Sequence, residues 1–127
     1  MLSLINAERT ANGLPAYASL GKLKAAALAH STDMACNGFF SHTGSDGSSV
    51  EERVSTQGYA GISVEENIFG TGDTIGKAPQ LAFSFWMASP PNQANILLDD
   101  FTDVGIGYTY EPDSPFGGYF TVVFGLP

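Results

Sequence analysis

His42 follows an aromatic pair in Phe39-Phe40-Ser41-His42-Thr43 and precedes the turn-forming run Gly44-Ser45-Asp46-Gly47. That context predicts a surface loop, where an imidazole can serve as a metal ligand or a proton carrier if a partner lies within reach. A candidate partner stands in Glu65-Glu66. Adjacent residues on a strand point to opposite faces, so one carboxylate is solvated and the other faces the interior with Val64 and Ile68. An inward carboxylate is costly unless it is paired or hydrogen-bonded. Glu66 is therefore either an acceptor for backbone amides or, with His42, a metal ligand or general base.

Other polar residues carry weaker signals. His30 falls on an apolar helical stripe, where an imidazole with one hydrogen-bond partner is a common core residue. Cys36 is the only cysteine, which excludes an internal disulfide and a cysteine-based zinc site. It reads as a half-buried small residue near a helix end. Asn92 and Asn95 are three apart, on one side of a short helix, and neither is a good zinc ligand. Asp99, Asp100 and Asp103 lack the glycine turn and the ligand spacing of a calcium loop, and read as a solvated segment. No phosphate-binding glycine loop, His-Glu-x-x-His or Gly-x-Ser-x-Gly pattern occurs.

Bulk properties narrow the function classes. The chain has 127 residues, enough for one domain whose core needs neither disulfide nor metal. Its formal charge is −8, and its five basic residues, Arg9, Lys22, Lys24, Arg53 and Lys77, are scattered. No basic patch can form, so a nucleic-acid partner and adsorption to anionic membranes are disfavoured. No run of 18 apolar residues exists to span a bilayer.

The elements that must position these residues follow from periodicity. A first helix covers about 1–12 and stops at Gly13, before Pro15. Beginning inside a helical pattern suggests a fragment trimmed from a longer precursor. A second helix, with Ser19 as N-cap, carries the stripe Leu20, Leu23, Ala27, His30 and Met34, and ends at Asn37-Gly38. After the loop at 41–48, Ser49 and Glu52 form a capping box that opens a third helix, closed by Gln57-Gly58. Residues 62–69 read as a strand, and Gly70-Thr71-Gly72-Asp73-Thr74 as a loop. A fourth helix spans about 76–88, with Leu81, Ala82, Phe85 and Trp86 facing inward. Ser89-Pro90 starts a short fifth helix. Val104, Ile106, Tyr108 and Tyr110 then alternate with Gly105, Gly107 and Thr109, a period of two. A hairpin loop at 111–118 leads into a central strand at 119–124, rich in aromatic and β-branched residues. Helices first and paired strands last make the class α+β.

Taken in order, Ala29-His-Ser-Thr-Asp-Met-Ala, Gly38-Phe-Phe-Ser-His-Thr, Glu66-Asn67-Ile68, Trp86-x-x-Ser89-Pro90, Asn95-Ile-Leu, Val104-Gly-Ile-Gly and Tyr119-Phe-Thr-Val-Val-Phe-Gly resemble a bacterial CAP (SCP) domain. This is the superfamily of cysteine-rich secretory, antigen 5 and pathogenesis-related proteins, and the match covers essentially the whole chain as a single domain, 1–127. The resemblance implies an α-β-α sandwich around a mainly antiparallel sheet of three or four strands, in an extracellular or cell-surface setting. It also implies a central cleft built in some members from two histidines and two glutamates that bind a divalent ion, often zinc. Some members hold sterols or fatty acids in a groove.

Carried onto this chain, His42 matches the first cleft histidine and Glu66 the first cleft glutamate. Ser89 stands where animal members have the second glutamate, and Asn92 where the second histidine belongs. The expected cleft is thus His42, Glu66, Ser89 and Asn92. If a metal binds at all, only His42 and Glu66 hold it, so any zinc binding is weak and no cofactor is expected. The reading is a monomeric binding module for a lipid, sterol, peptide or cell-envelope component. The alternative is a metal-assisted hydrolase or protease centred on His42 and Glu66. A third reading is a structural domain of a larger surface protein.

Overall fold

Helix boundaries in this chain follow local chemistry. The computed structural model describes residues 1–72 and 76–127. Helix α1 spans Leu2–Ala11 and α2 spans Gly21–Asn37, the latter closed by Gly38 at a φ of +66°, a left-handed position that favours glycine. Helix α3, Val50–Thr56, opens on the expected capping box: Glu52 N–H donates to Ser49 Oγ, and Ser49 N–H donates to Glu52 Oε2. Helix α4 spans Ala78–Met87, and α5, Pro90–Ile96, begins after Ser89 with two prolines that need no donor there.

Four strands complete the described residues: β1 (Ala18–Ser19), β2 (Ser63–Thr71), β3 (Asp103–Tyr110) and β4 (Gly118–Leu126). The sheet order is β1-β3-β4-β2. Strands β2 and β3 flank β4 antiparallel, with Glu66 opposite Val123 and Val104 opposite Phe124, and β1 adds a short parallel pair to β3. The class is therefore α+β, with a mainly antiparallel four-stranded sheet between helical layers.

Alternation along β4 builds both cores. Phe120, Val122 and Phe124 pack with Ile5 of α1, Trp86 of α4 and Ile96 of α5. Val123 packs with Leu23 and Ala27 of α2 and Val54 of α3, and Tyr119 with Met34 and Ile68. On that second side α2 approaches β3 at Gly105 and Gly107. A Cβ on Gly105 would lie 2.1 Å from the Leu23 carbonyl carbon, and one on Gly107 would lie 2.3 Å from Leu28 N. The Val-Gly-Ile-Gly alternation is thus a steric requirement of helix-on-sheet contact.

Some expectations are corrected. Ser19 is not the N-cap of α2: it pairs with Val104 in β1, and Leu20 occupies the cap position without a side-chain bond. Leu81 and Phe85 do not face inward; they are 44% and 52% exposed, because Ala78, Ala82 and Trp86 already form the buried stripe of α4. Cys36 is exposed rather than half-buried. Gly70 and Thr71 continue β2 instead of forming a loop, held by pairing to Tyr119 and Gly118. Asp103 belongs to β3 and accepts from the Tyr59 hydroxyl. Asp73 and Thr74 lie outside the described residues.

Candidate cleft around Glu66

Strand parity places Glu66 on the α2 side of the sheet, between Val64 and Ile68, with its side chain 2% exposed. Three groups from three elements converge on this carboxylate. His42, on the loop between α2 and α3, presents Nδ1 at 2.9 Å from Glu66 Oε1. Arg53 of α3 donates from Nη2 to Oε2 at 2.7 Å, and from Nη1 to the carbonyls of His42 and Ser48. His30 of α2 holds Nε2 at 3.9 Å from Oε1 and at 2.7 Å from the Ser41 carbonyl.

Acceptor chemistry assigns the protons. A carbonyl can only accept, so His30 Nε2 carries the hydrogen and donates to Ser41. Burial holds the His30 pKa below its ordinary value; nearby Glu66 opposes this shift and Arg53 adds to it. His30 Nδ1 is left buried with no hydrogen-bond partner. The Ser41 contact anchors the loop that carries His42, whose own ring remains 61% exposed.

The other two expected cleft residues come from α5, across the sheet edge. Asn92 joins Phe40, Ser41, His42, Ile68 and Phe85 around a pocket of about 320 Å³. Its backbone carbonyl accepts from Asn67 Nδ2, and Asn95 Nδ2 donates to Asn67 Oδ1, so Asn67 and Asn95 fasten α5 to β2. Ser89 sits at the start of α5, where its N–H donates to the Trp86 carbonyl and its carbonyl accepts from Gln93. It is not among the residues lining the His42 pocket. Trp86 Nε1 donates to the Ile68 carbonyl at 2.9 Å, which satisfies one outward group of the edge strand.

Arg53 is the residue that sequence reasoning missed. The one available signal was physical: an inward carboxylate demands a cation, and the chain has only five basic residues. Arg9 was missed as well, and its partners are backbone carbonyls, which leave no mark in the residue types. It is 1% exposed, donates to the carbonyls of Pro15, Ile96 and Leu98, and lies 3.6 Å from the Tyr17 ring centroid.

This donor set fits a resident zinc ion poorly. Both Glu66 oxygens are engaged, one of them by a permanent cation. Among the described residues, no group of three or more His, Cys, Asp or Glu side chains is arranged to hold a metal. What the arrangement offers is a charge-paired polar wall beside a pocket whose apolar lining is Phe40, Ile68 and Phe85.

A mainly antiparallel sheet between helical layers is the fold of SCP-domain structures. The profile of the cysteine-rich secretory protein family, CAP, matches residues 2–124, and the chain belongs to that family. It is similar to the uncharacterized protein YkwD of Bacillus subtilis (strain 168), with 32% identity over 108 residues, 85% of this chain and 40% of that protein. The chain thus spans about two-fifths of that relative's length. An extracellular protein containing an SCP domain from Bacillus anthracis str. Ames superposes with a TM-score of 0.82 at 25% identity, over 99% of this chain and 39% of that one. An outer surface protein from Borrelia burgdorferi gives 0.82 at 18% identity, over 98% of this chain and 87% of that one.

Proposed function

We propose that this chain is a non-catalytic binding domain of a secreted or cell-surface protein, holding an amphipathic ligand in the cleft beside His42. The observation that carries the reading is the ion pair of Glu66 with Arg53. With His42 on Oε1 and a guanidinium on Oε2, a zinc ion or a proton taken up by this carboxylate would have to compete with a cation already in place. The adjacent pocket supports the choice of ligand. Phe40 and Phe85 offer exposed ring surface for an acyl chain or an apolar peptide side chain, and His42 and Asn92 offer hydrogen bonds for a polar head. The descriptions of similar bacterial proteins as extracellular or outer-surface support the setting. No helix among the described residues is long and apolar enough to cross a membrane.

The test is an NMR titration with two probes, octanoate and an N-acetylated apolar dipeptide amide, beside a zinc titration by calorimetry. Saturable shifts at Phe40, His42, Phe85 and Asn92, weakened in Phe85→Ala, are expected from at least one probe, with no stoichiometric zinc heat. One equivalent of zinc bound tightly by the wild type and lost in His42→Ala would overturn this reading. It would favour metal-assisted hydrolysis centred on His42 and Glu66.

A further inference from the structure

The two edges of the sheet are finished differently. On the β2 edge, the outward carbonyl of Ile68 accepts from Trp86 Nε1, and that of Glu66 accepts from Asn95 Nδ2 at 3.5 Å. On the β3 edge, β1 supplies only two residues. Ala18 N–H donates to the Thr102 carbonyl and Leu20 N–H to the Val104 carbonyl, and at Gly21 the chain leaves into α2. The Val104 carbonyl fixes the parity of the strand: backbone groups of Gly105, Gly107 and Thr109 turn toward β4, and those of Ile106 and Tyr110 turn away from it. Among the described residues, no hydrogen bond reaches the outward N–H and C=O groups of Ile106 or Tyr110.

The usual protections of an open edge are missing here. Residues 104–110 hold no proline and no charged side chain, and the register with β4 runs from Asp103 to Tyr110 without a bulge. Apolar surface flanks the edge on both faces of the sheet. On one face α2 passes over Gly105 and Gly107, leaving Leu28 44% exposed, and Thr32 Oγ1 lies 2.9 Å from Thr109 Oγ1. On the other face the Tyr108 ring packs on Phe120 with centroids 4.5 Å apart, and Tyr110 is 47% exposed.

We propose that the β3 edge takes up an added strand beside residues 106–110: an extended, cationic segment of another polypeptide. The same edge already pairs with β1, so the added segment continues an existing ladder beyond the point where the chain turns into α2. Main-chain bonds to Ile106 and Tyr110 supply the affinity, and alternate side chains of the segment fall against Leu28 on one face and the tyrosines on the other. A second copy of this chain is a poorer occupant. The open strip is one strand about 17 Å long, whereas a stable dimer buries about 800 Å² on each partner, and two chains of charge −8 repel. Charge also selects the partner: the strip ends at Glu111 and Asp113, on a chain with 13 acidic residues against 5 basic ones. This surface is separate from the cleft ligand proposed above, which sits at the β2 edge across the sheet.

The experiment is an NMR titration of the whole chain with the peptide acetyl-Lys-Val-Thr-Val-Thr-Val-Lys-amide, beside the same peptide N-methylated at its three valines and its two threonines in turn. Saturable shifts at the Ile106 and Tyr110 amides, with slower hydrogen exchange at both, are expected from the unmodified peptide. Methylation should weaken binding in one of the two patterns far more than in the other, because only one edge of the peptide can face β3. Tyr110→Pro removes an outward donor without touching the ladder to β4, and a fall in affinity of about tenfold is expected. Leu28→Ser, on the exposed side of α2, should weaken binding without altering the sheet, and tests the same surface if the proline variant folds poorly. Equal binding of both methylated peptides, or shifts that spare Ile106 and Tyr110, would overturn the proposal in favour of side-chain or purely ionic adsorption. The same shifts appearing on concentrating the chain alone, with a dimer by sedimentation, would overturn it in favour of edge-to-edge pairing of two copies.

Discussion

The Arg53 guanidinium lies 2.7 Å from Glu66 Oε2, with the two side chains only 10% and 2% exposed. Two charges withdrawn from water in this way are tolerated because each is met by further hydrogen bonds. The pair also joins three segments, since the same guanidinium holds the His42 and Ser48 carbonyls. Cleft geometry and domain stability therefore depend on one ion pair.

Removing the cation should be strongly destabilising. Arg53→Leu leaves Glu66 buried with only imidazole nearby, and a loss of about 3 kcal/mol is expected from urea unfolding. Adding Glu66→Gln should recover part of it, so the double variant is less damaged than the sum of the single variants. Arg53→Lys should rescue incompletely, because a point-like ammonium cannot reach the same three acceptors.

Stability should depend on pH through His30. Its native pKa lies below the ordinary 6.5, chiefly from burial. Below about pH 6.5 the unfolded chain therefore binds a proton that the native state refuses. Stability is full above that pH, declines as pH falls from about 6.5 toward the lowered native value, and then levels off. The slope from this one group cannot exceed about 1.4 kcal/mol per pH unit. Urea midpoints between about pH 7.5 and pH 5 should show the decline in wild type and a shallower one in His30→Gln.

Zinc affinity should be recoverable by design. Asn92 and His42 line one pocket, so Asn92→His adds a second imidazole and should raise zinc affinity above wild type. Adding Arg53→Gln, which frees Glu66 Oε2 from a competing cation, should raise it further. Calorimetry that ranks the double variant no better than the parent would mean that Asn92 and His42 do not converge on a common ion.

The contact of α2 with β3 should tolerate no methyl group. Gly107→Ala places a Cβ within 2.5 Å of three backbone atoms of Ala27 and Leu28, which no side-chain rotation relieves. A destabilisation of about 3 kcal/mol or more is expected by thermal or urea unfolding.

Trp86→Phe should cost about 2 kcal/mol while keeping most of the packing. It strands the Ile68 carbonyl, whose partner is the indole N–H. Faster amide exchange along β2 would localise the effect to this edge.

Much of the site was legible because it is local. The turn residues at 44–47 put His42 on a loop, and strand parity put Glu66 inside beside Val64 and Ile68. The capping box at Ser49 and Glu52 needs only four consecutive residues. Asn92 lines one pocket with His42, whereas Ser89 stays at the turn before α5. Phe85 was misread because an apolar residue on a helix has two possible destinations, a core or an exposed pocket rim, and periodicity does not separate them.

The sequence by itself determined the α+β class, the order and approximate bounds of the main helices and strands, and which carboxylate of Glu65-Glu66 turns inward. Helical and strand periods, caps and glycine turns act over a few residues and can be read from them. Only the tertiary structure decided that Arg53 neutralises Glu66, that His30 reaches the same carboxylate from α2, and that Arg9 binds the carbonyls of Ile96 and Leu98 at the end of α5. These partners come from separate elements. Which cation meets a buried anion depends on how the helices settle on the sheet, and that is set by long-range packing at positions such as Gly105 and Gly107 rather than by neighbours in the chain.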